Sequence, residues 1–142
     1  MAKWTCPECG RPFGRVNQGH MCSPPMSLDD YFASAHEREQ AIFEVINAHL
    51  EDLGPFDIDP VSVGILLKNG PVFAELRTKT KWVAVCFKLP VKLSSNRFSR
   101  KVVPSGGHGG SFYHVVNVAD AAEIDDVLLD WLTEAYIAAE DR

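Results

Sequence analysis

The chain has 142 residues, 46% of them apolar and 23% charged, which is typical of a folded globular protein and excludes a largely disordered one. No apolar run approaches the roughly 20 residues of a membrane-spanning helix, and no signal-peptide core precedes the first cysteines, so we expect a cytoplasmic protein without a membrane partner. The net charge of −5 is unevenly divided. Residues 61–119 contain nine basic residues against one acidic residue, whereas residues 28–60 and 120–142 are strongly acidic.

Three of the four cysteines lie with one histidine in the spacing C-x2-C-x10-H-x-C near the N-terminus. Cys6, Cys9, His20 and Cys22 form the Cys₃His ligand set that is typical of a closed tetrahedral site for Zn²⁺. A redox-active Cys-x-x-Cys pair is the alternative, but it requires a βαβ context that is absent here and leaves His20 and Cys22 unused. Because the last two ligands are separated by one residue, no DNA-recognition helix is expected. We predict a structural zinc knuckle over residues 1–25.

Residues 26–142 are predicted to form one α+β domain. A short helix is expected to begin at Ser27, and a longer one from about His36 to the Gly54-Pro55 stop. Its apolar residues recur at helical spacing and are Ile42, Val45, Ile46, Leu50 and Leu53. Strands are expected at residues 56–59, 61–67, 72–76, 82–89 and 112–118, with a hairpin at Asn69-Gly70.

A last long helix is expected after a cap at Asp120. Its predicted buried residues are Ile124, Val127, Leu128, Trp131, Leu132 and Ala135. Since the strands follow one another without intervening helices, the sheet is expected to be antiparallel. The predicted architecture is therefore an antiparallel β-sheet packed on one side by two long helices, preceded by the zinc knuckle.

The basic residues of the predicted strands are interleaved with aromatic residues, which is typical of a platform for single-stranded nucleic acid or another polyanion. The alternative is that they are ordinary solvent-exposed strand residues. A second alternative is a pocket for an anionic small molecule, or an enzyme site, built from Arg97, Arg100, His108 and His114. A third is a regulatory module whose acidic helices bind a basic protein. The candidate ligand-binding residues are Lys81, Trp82, Lys88, Arg97, Arg100, His108 and His114.

No catalytic residue is predicted, because no Ser/His/Asp or paired-carboxylate arrangement emerges from the sequence. The glycine-rich segment around His108 lacks the G-K-[ST] ending of a P-loop. His114 is expected to be a buried, hydrogen-bonded histidine, and Cys86 a small buried apolar residue. The favoured interpretation is a non-enzymatic binding module whose basic sheet face binds an anionic partner.

The N-terminal motif and several later segments together resemble a family of small, mostly bacterial proteins that join a zinc knuckle to the domain-of-unknown-function family 5655. The resemblance is carried by Trp4-Thr-Cys6-Pro-x-Cys9-Gly-Arg-x-Phe13, Asn17-Gln18-x-His20-x-Cys22, Tyr31-Phe32, Phe73-Ala74, Arg97-Phe98, Tyr113-His114, Asp125-Asp126 and Trp131-Leu132-x-Glu134-Ala135-Tyr136. It implies the α+β fold and the zinc site, but no established activity. The domain is also distantly similar to small α+β domains described as iron-chaperone-like.

Overall fold

The computed structural model of the chain describes residues 4–13, 16–17, 26–105 and 110–140. Its elements, in chain order, are β1 (Trp4–Thr5), β2 (Pro12–Phe13), α1 (Leu28–Ala33), α2 (Glu37–Glu51), β3 (Asp57–Val61), β4 (Gly64–Lys68), β5 (Val72–Thr78), β6 (Val83–Leu89), β7 (Val103–Pro104), β8 (Phe112–Val118), a 3₁₀-helix (Ala121–Glu123) and α3 (Asp126–Glu140). None of the helices in these ranges is long and apolar enough to cross a membrane.

Six of the strands form one antiparallel sheet in the order β3-β4-β5-β6-β8-β7, and β1 and β2 form a separate hairpin. This confirms the predicted antiparallel α+β fold. Val83, Val85 and Phe87 alternate along β6 and point into the main core, which α2 and α3 complete. The intervening residues of β6 point to the opposite side. We call that side the open face, because its small buried cluster contains no helical residue.

Two predicted boundaries are wrong. The expected strand over residues 61–67 is two strands, because β3 ends at Val61 and pairs with β4 through a turn at residues 62–63. Asp120 does not cap the last long helix but the preceding 3₁₀-helix, where it accepts a hydrogen bond from the Ala122 N–H at 2.8 Å. Asp125 accepts from the Leu128 N–H at 3.0 Å instead, as a cap of α3 does.

Two residues expected in the apolar stripes are exposed. Val127 on α3 is 49% exposed and Val45 on α2 is 38% exposed. Both helices bury residues that the predicted stripes did not include, namely Glu39, Phe43, Tyr136 and Ala139. Val127 lies in the first turn of α3 and faces water rather than the sheet.

A bulge in the pairing of β4 with β5 directs one large side chain into the core. Leu67 pairs with Ala74 but Lys68 pairs with Val72, so Phe73 has no partner in the register. Phe73 is fully buried, and its ring lies 5.5 Å from the ring of Tyr136 on α3. The extra residue therefore anchors α3 to this part of the sheet.

Candidate ligand-binding site

A concavity of about 740 Å³ lies on the open face of the sheet. It is lined by Arg77, Lys79, Trp82, Ala84, Cys86, Ser99, Arg100, Tyr113, Val115 and Asn117. Its volume falls within the range of roughly 300–1,000 Å³ that small-molecule sites occupy. Strands β5, β6 and β8 and the segment after Phe98 thus enclose a space large enough for a small ligand.

The strand register explains how the floor of the concavity forms. Ala84 pairs with both Arg77 and Asn117, and Cys86 pairs with Val115, so these side chains point to the same face. Ala84 and Cys86 are small, and Ala84, Cys86 and Val115 are all nearly inaccessible to solvent. Small residues in the middle strand therefore leave space above an apolar floor.

Three cationic side chains, Arg77, Lys79 and Arg100, form what we call the cationic rim, and none of the described lining residues is acidic. The carboxylate of Glu75 lies beside the rim, with its Oε1 3.9 Å from Arg77 Nη1. The other oxygen of Glu75 accepts a hydrogen bond of 2.7 Å from the Tyr113 hydroxyl. The rim thus carries a net positive charge beside a single carboxylate.

The two titratable side chains near the floor are held in their neutral forms. Burial raises the pKa of the Cys86 thiol above its ordinary value. Burial also raises the pKa of the Tyr113 hydroxyl, and hydrogen bonds with Cys86 and Glu75 raise it further. A protonated thiol is a poor nucleophile, so Cys86 contributes apolar surface to the site rather than reactivity.

Of the predicted ligand-binding residues, Trp82 and Arg100 line the concavity. Lys81 is exposed in the turn beside Trp82. Lys88 lies on the open face opposite Tyr113, outside the lining. His108 lies outside the described residues.

Arg97 and His114 lie on the helix side of the sheet. Arg97 Nη1 donates to both carboxylate oxygens of Asp125 at 2.9 Å, which lowers the pKa of Asp125, and its guanidinium lies 5.9 Å from the ring centre of Trp131. His114 is fully buried and stacks on Phe87 at a ring distance of 5.3 Å. Arg97 and His114 are therefore separated by the sheet from Arg100, so these three do not converge on one pocket.

Both ring nitrogens of His114 are used by the backbone. The Leu93 N–H donates to Nε2 at 3.1 Å, so Nδ1 carries the proton and faces the Phe112 carbonyl oxygen, also at 3.1 Å. Protonation of Nε2 would remove the acceptor for Leu93 and place a charge in the core. Accordingly, burial lowers the pKa of His114 below its usual value.

We therefore expect acid to destabilise the protein through His114. The pKa of His114 is lower in the folded protein than in the unfolded chain, where it is about 6.5. Its contribution to stability is therefore complete above pH 6.5 and is lost as the pH falls through the folded-state pKa. Urea unfolding of the wild type and of His114→Gln at pH 7.5 and 5.0 measures the change in the free energy of unfolding. The variant should be less stable at pH 7.5 but should lose less stability on acidification. An equal loss in both proteins would contradict this role.

The other eight lining residues are absent from the seven candidate ligand-binding residues, although Arg77 and Lys79 belong to the nine basic residues of the predicted platform. The sequence did carry a signal for the floor of the concavity, because Ala84 and Cys86 are the small residues in a strand otherwise rich in large apolar ones. Small side chains at alternate positions indicate a face that is not filled by a second layer. The register with β5, which brings Arg77 beside this floor, became visible only in the structure.

The N-terminal hairpin holds the first two predicted zinc ligands. Cys6 and Cys9 are both buried, at 4% and 9% exposure. The Gly10 N–H donates to the Cys6 carbonyl oxygen at 2.8 Å, and Gly10 adopts a φ of 75°, which a glycine tolerates without strain. The described residues bring no three potential metal ligands together, and His20 and Cys22 lie outside them.

The hairpin contacts the β3–β4 end of the main sheet through one polar cluster. Arg11, 3% exposed, places Nη1 3.4 Å from Asp59 Oδ2. Lys68 Nζ lies 2.9 Å from the same oxygen and 4.8 Å from the ring centre of Phe13. Lys68, one of the nine basic residues of the strand region, is therefore buried in this cluster and is not part of the cationic rim.

Comparison with known proteins identifies a family but no individual relative. A family model described as Domain of unknown function (DUF5655) matches residues 28–138. No curated protein and no solved structure matches the chain. The match covers α1 through most of α3, and so it includes the whole concavity, whereas the N-terminal hairpin lies outside it.

Proposed function

We propose a function from the geometry of the concavity, because the chain belongs to the DUF5655 family and the description of that family names no activity. The chain is a non-enzymatic binding module that takes an anionic ligand into the concavity of the open face. The cationic rim carries this proposal, because Arg77, Lys79 and Arg100 line one concavity without an acidic lining residue among those described. Hydrogen bonds from arginine or lysine to a carboxylate or phosphate are about twice as strong as neutral ones.

The distribution of charge between the two sides of the molecule supports an anionic ligand. The three α-helices contain ten acidic residues and one basic residue, Arg38. They pack on one side of the sheet, whereas the cationic rim lies on the other. The summed field therefore repels an anion from the helical side and attracts it to the open face, although the protein as a whole is acidic.

The binding test uses charge reversal at the rim. Arg100→Glu and Arg77→Glu should each weaken binding of inorganic pyrophosphate and of an RNA octamer by at least about 10-fold, because each removes an attraction and adds a repulsion. Lys92→Glu is the matched control, since Lys92 is exposed, basic and outside the concavity. Isothermal titration at low and high salt measures the affinities, which should fall with salt. Salt-independent binding, or equal effects of the rim and control variants, would overturn the proposal.

A structural zinc ion in the N-terminal segment is the second part of the proposal. Cys6, Cys9, His20 and Cys22 would hold it. The buried thiols of Cys6 and Cys9 on one tight turn fit this role, and thiolate and imidazole donors suit zinc. The ion would cross-link residues that have too few apolar side chains to fold alone. A cytoplasmic location belongs to the same proposal, since a reducing compartment keeps these cysteines available as ligands.

Metal analysis of freshly purified protein tests the zinc site. We expect about one equivalent of zinc in the wild type and a large loss in Cys9→Ser, which removes one of four ligands. Cys86→Ser is the matched control, because Cys86 lies in β6 on the main sheet, and it should retain the metal. Less than about half an equivalent in the wild type, or equal zinc in both variants, would contradict the assignment.

A further inference from the structure

We infer that the ligand of the open-face concavity is a nucleotide, a phosphate ester that carries a planar base. This inference rests on the proposed function and specifies its ligand. A nucleotide combines the two properties that the lining residues favour in one molecule, a negative charge for the cationic rim and a flat aromatic ring for Trp82.

The lining of the concavity is not purely ionic. Ala84, Cys86 and Val115 form a buried apolar cluster at the base of the concavity, with Tyr113 packed against it. These three residues are already almost inaccessible to solvent, so a ligand gains little from covering them, whereas Trp82 in the same lining is 38% exposed. A small inorganic anion contacts the rim alone, but a ligand with a planar ring can also cover the indole and remove its apolar area from water.

Trp82 supplies a stacking partner at the same site. Its side chain lies in the turn between β5 and β6, lines the concavity and is 38% exposed. Exposed indole rings stack on nucleobases irrespective of sequence, because every base has an aromatic face. Since Lys79 also lines the concavity from this turn, a base near Trp82 has a phosphate-binding cation close by in the chain.

The remaining lining residues fit a sugar or a base edge. The Ser99 hydroxyl donates to the Val115 carbonyl oxygen at 3.4 Å and can still accept a hydrogen bond, and the Asn117 amide can donate and accept with neutral polar groups. The volume of about 740 Å³ suits one nucleotide unit and not a rod-like duplex, whose bases are stacked and inaccessible to Trp82. The unit is either a free mononucleotide or one nucleotide of a single strand, and both present the same chemistry.

A matched set of compounds separates the contribution of the base to the affinity from that of the phosphate. AMP, ribose 5-phosphate and adenosine are titrated into the wild type, Trp82→Leu, Arg100→Glu and the control Lys92→Glu by calorimetry. We expect AMP to bind about 5- to 150-fold more tightly than ribose 5-phosphate, which is the range that base stacking supplies. Trp82→Leu should bring this ratio close to one, because it should weaken AMP much more than ribose 5-phosphate. Arg100→Glu should weaken both phosphate compounds by a similar factor.

The outcomes distinguish this inference from the proposed function. If AMP and ribose 5-phosphate bind equally well, or if Trp82→Leu keeps the wild-type ratio in a protein with unchanged circular dichroism, the nucleotide inference is overturned while anion binding stands. If neither phosphate compound nor pyrophosphate binds, both are overturned. Titration of an adenosine octanucleotide shows whether the ligand is a free nucleotide or part of a single strand. Binding more than about 10-fold tighter than AMP supports a single strand, and similar binding supports a free nucleotide.

Discussion

Phe87→Ala is expected to lower the free energy of unfolding by about 3–5 kcal/mol. Phe87 is fully buried at the centre of an aromatic cluster on the helix side of β6. Its ring lies 5.3 Å from that of His114, 5.8 Å from that of Trp131 and 6.3 Å from that of Phe98. Alanine removes the apolar side chain, leaves a cavity and breaks the contacts that join β8, α3 and the segment at Phe98. Urea unfolding of wild type and variant measures the difference.

Val127→Ala provides the control for this substitution. Val127 is also apolar but is 49% exposed on α3, so its truncation should change the free energy of unfolding by no more than about 0.5 kcal/mol. A loss below about 1.5 kcal/mol for Phe87→Ala would show that the cavity collapses, and that the aromatic cluster is not a rigid part of the core.

Glu39→Ala is expected to cost about 2 kcal/mol, because it removes the acceptor of a buried hydroxyl group. Glu39 is 5% exposed on α2. Its Oε1 accepts from the Tyr31 hydroxyl at 2.8 Å, and its Oε2 accepts from the Thr78 hydroxyl. The carboxylate therefore joins α1, α2 and β5. Truncation leaves the buried Tyr31 hydroxyl without its acceptor, whereas the exposed Thr78 hydroxyl can bond water instead. The loss is measured by urea unfolding at pH 7.

A control and a rescue variant distinguish the loss of the buried hydrogen bonds from the effect of replacing any glutamate on α2 with alanine. Glu44→Ala removes an exposed glutamate from the same helix and should change stability by less than about 0.5 kcal/mol. Glu39→Gln keeps the side-chain shape and one acceptor, so its loss should fall between those of the two alanine variants. Equal losses for Glu39→Ala and Glu44→Ala would mean that the buried carboxylate adds no net stability.

The parts of the fold that were predictable are those with a local chemical signal. The alternation in β8, the Asn69-Gly70 hairpin and the long helix from about His36 were all predicted. The turn at residues 62–63 was missed because valine residues on both sides of Ser62 continue a strand pattern, and only Gly64 marks the return. There, a Cβ on Gly64 would clash with the Leu76 carbonyl of the neighbouring strand. Such a contact between strands is invisible in one segment of sequence.

The candidate site was predictable as a region but not as a set of residues. Basic and aromatic residues in the strands indicated the face, and Trp82 and Arg100 were identified. Arg97 was grouped with Arg100 because they are three residues apart. Phe98 forms an isolated bridge with Val116 and packs against Trp131, which directs Arg97 towards α3, whereas Arg100 lines the open face. Outside a regular strand, alternation gives no rule for which face a side chain takes.

The alternation along β6 also makes the site a favourable target for redesign. Val85 and Phe87 support the core, whereas Ala84 and Cys86 set only the depth of the concavity. Substitutions at these two positions, together with Asn117 on β8, would vary the shape and polarity of the cavity without altering the packing of the helices. A small combinatorial library on one strand and its neighbour would therefore sample new ligand preferences on an unchanged scaffold.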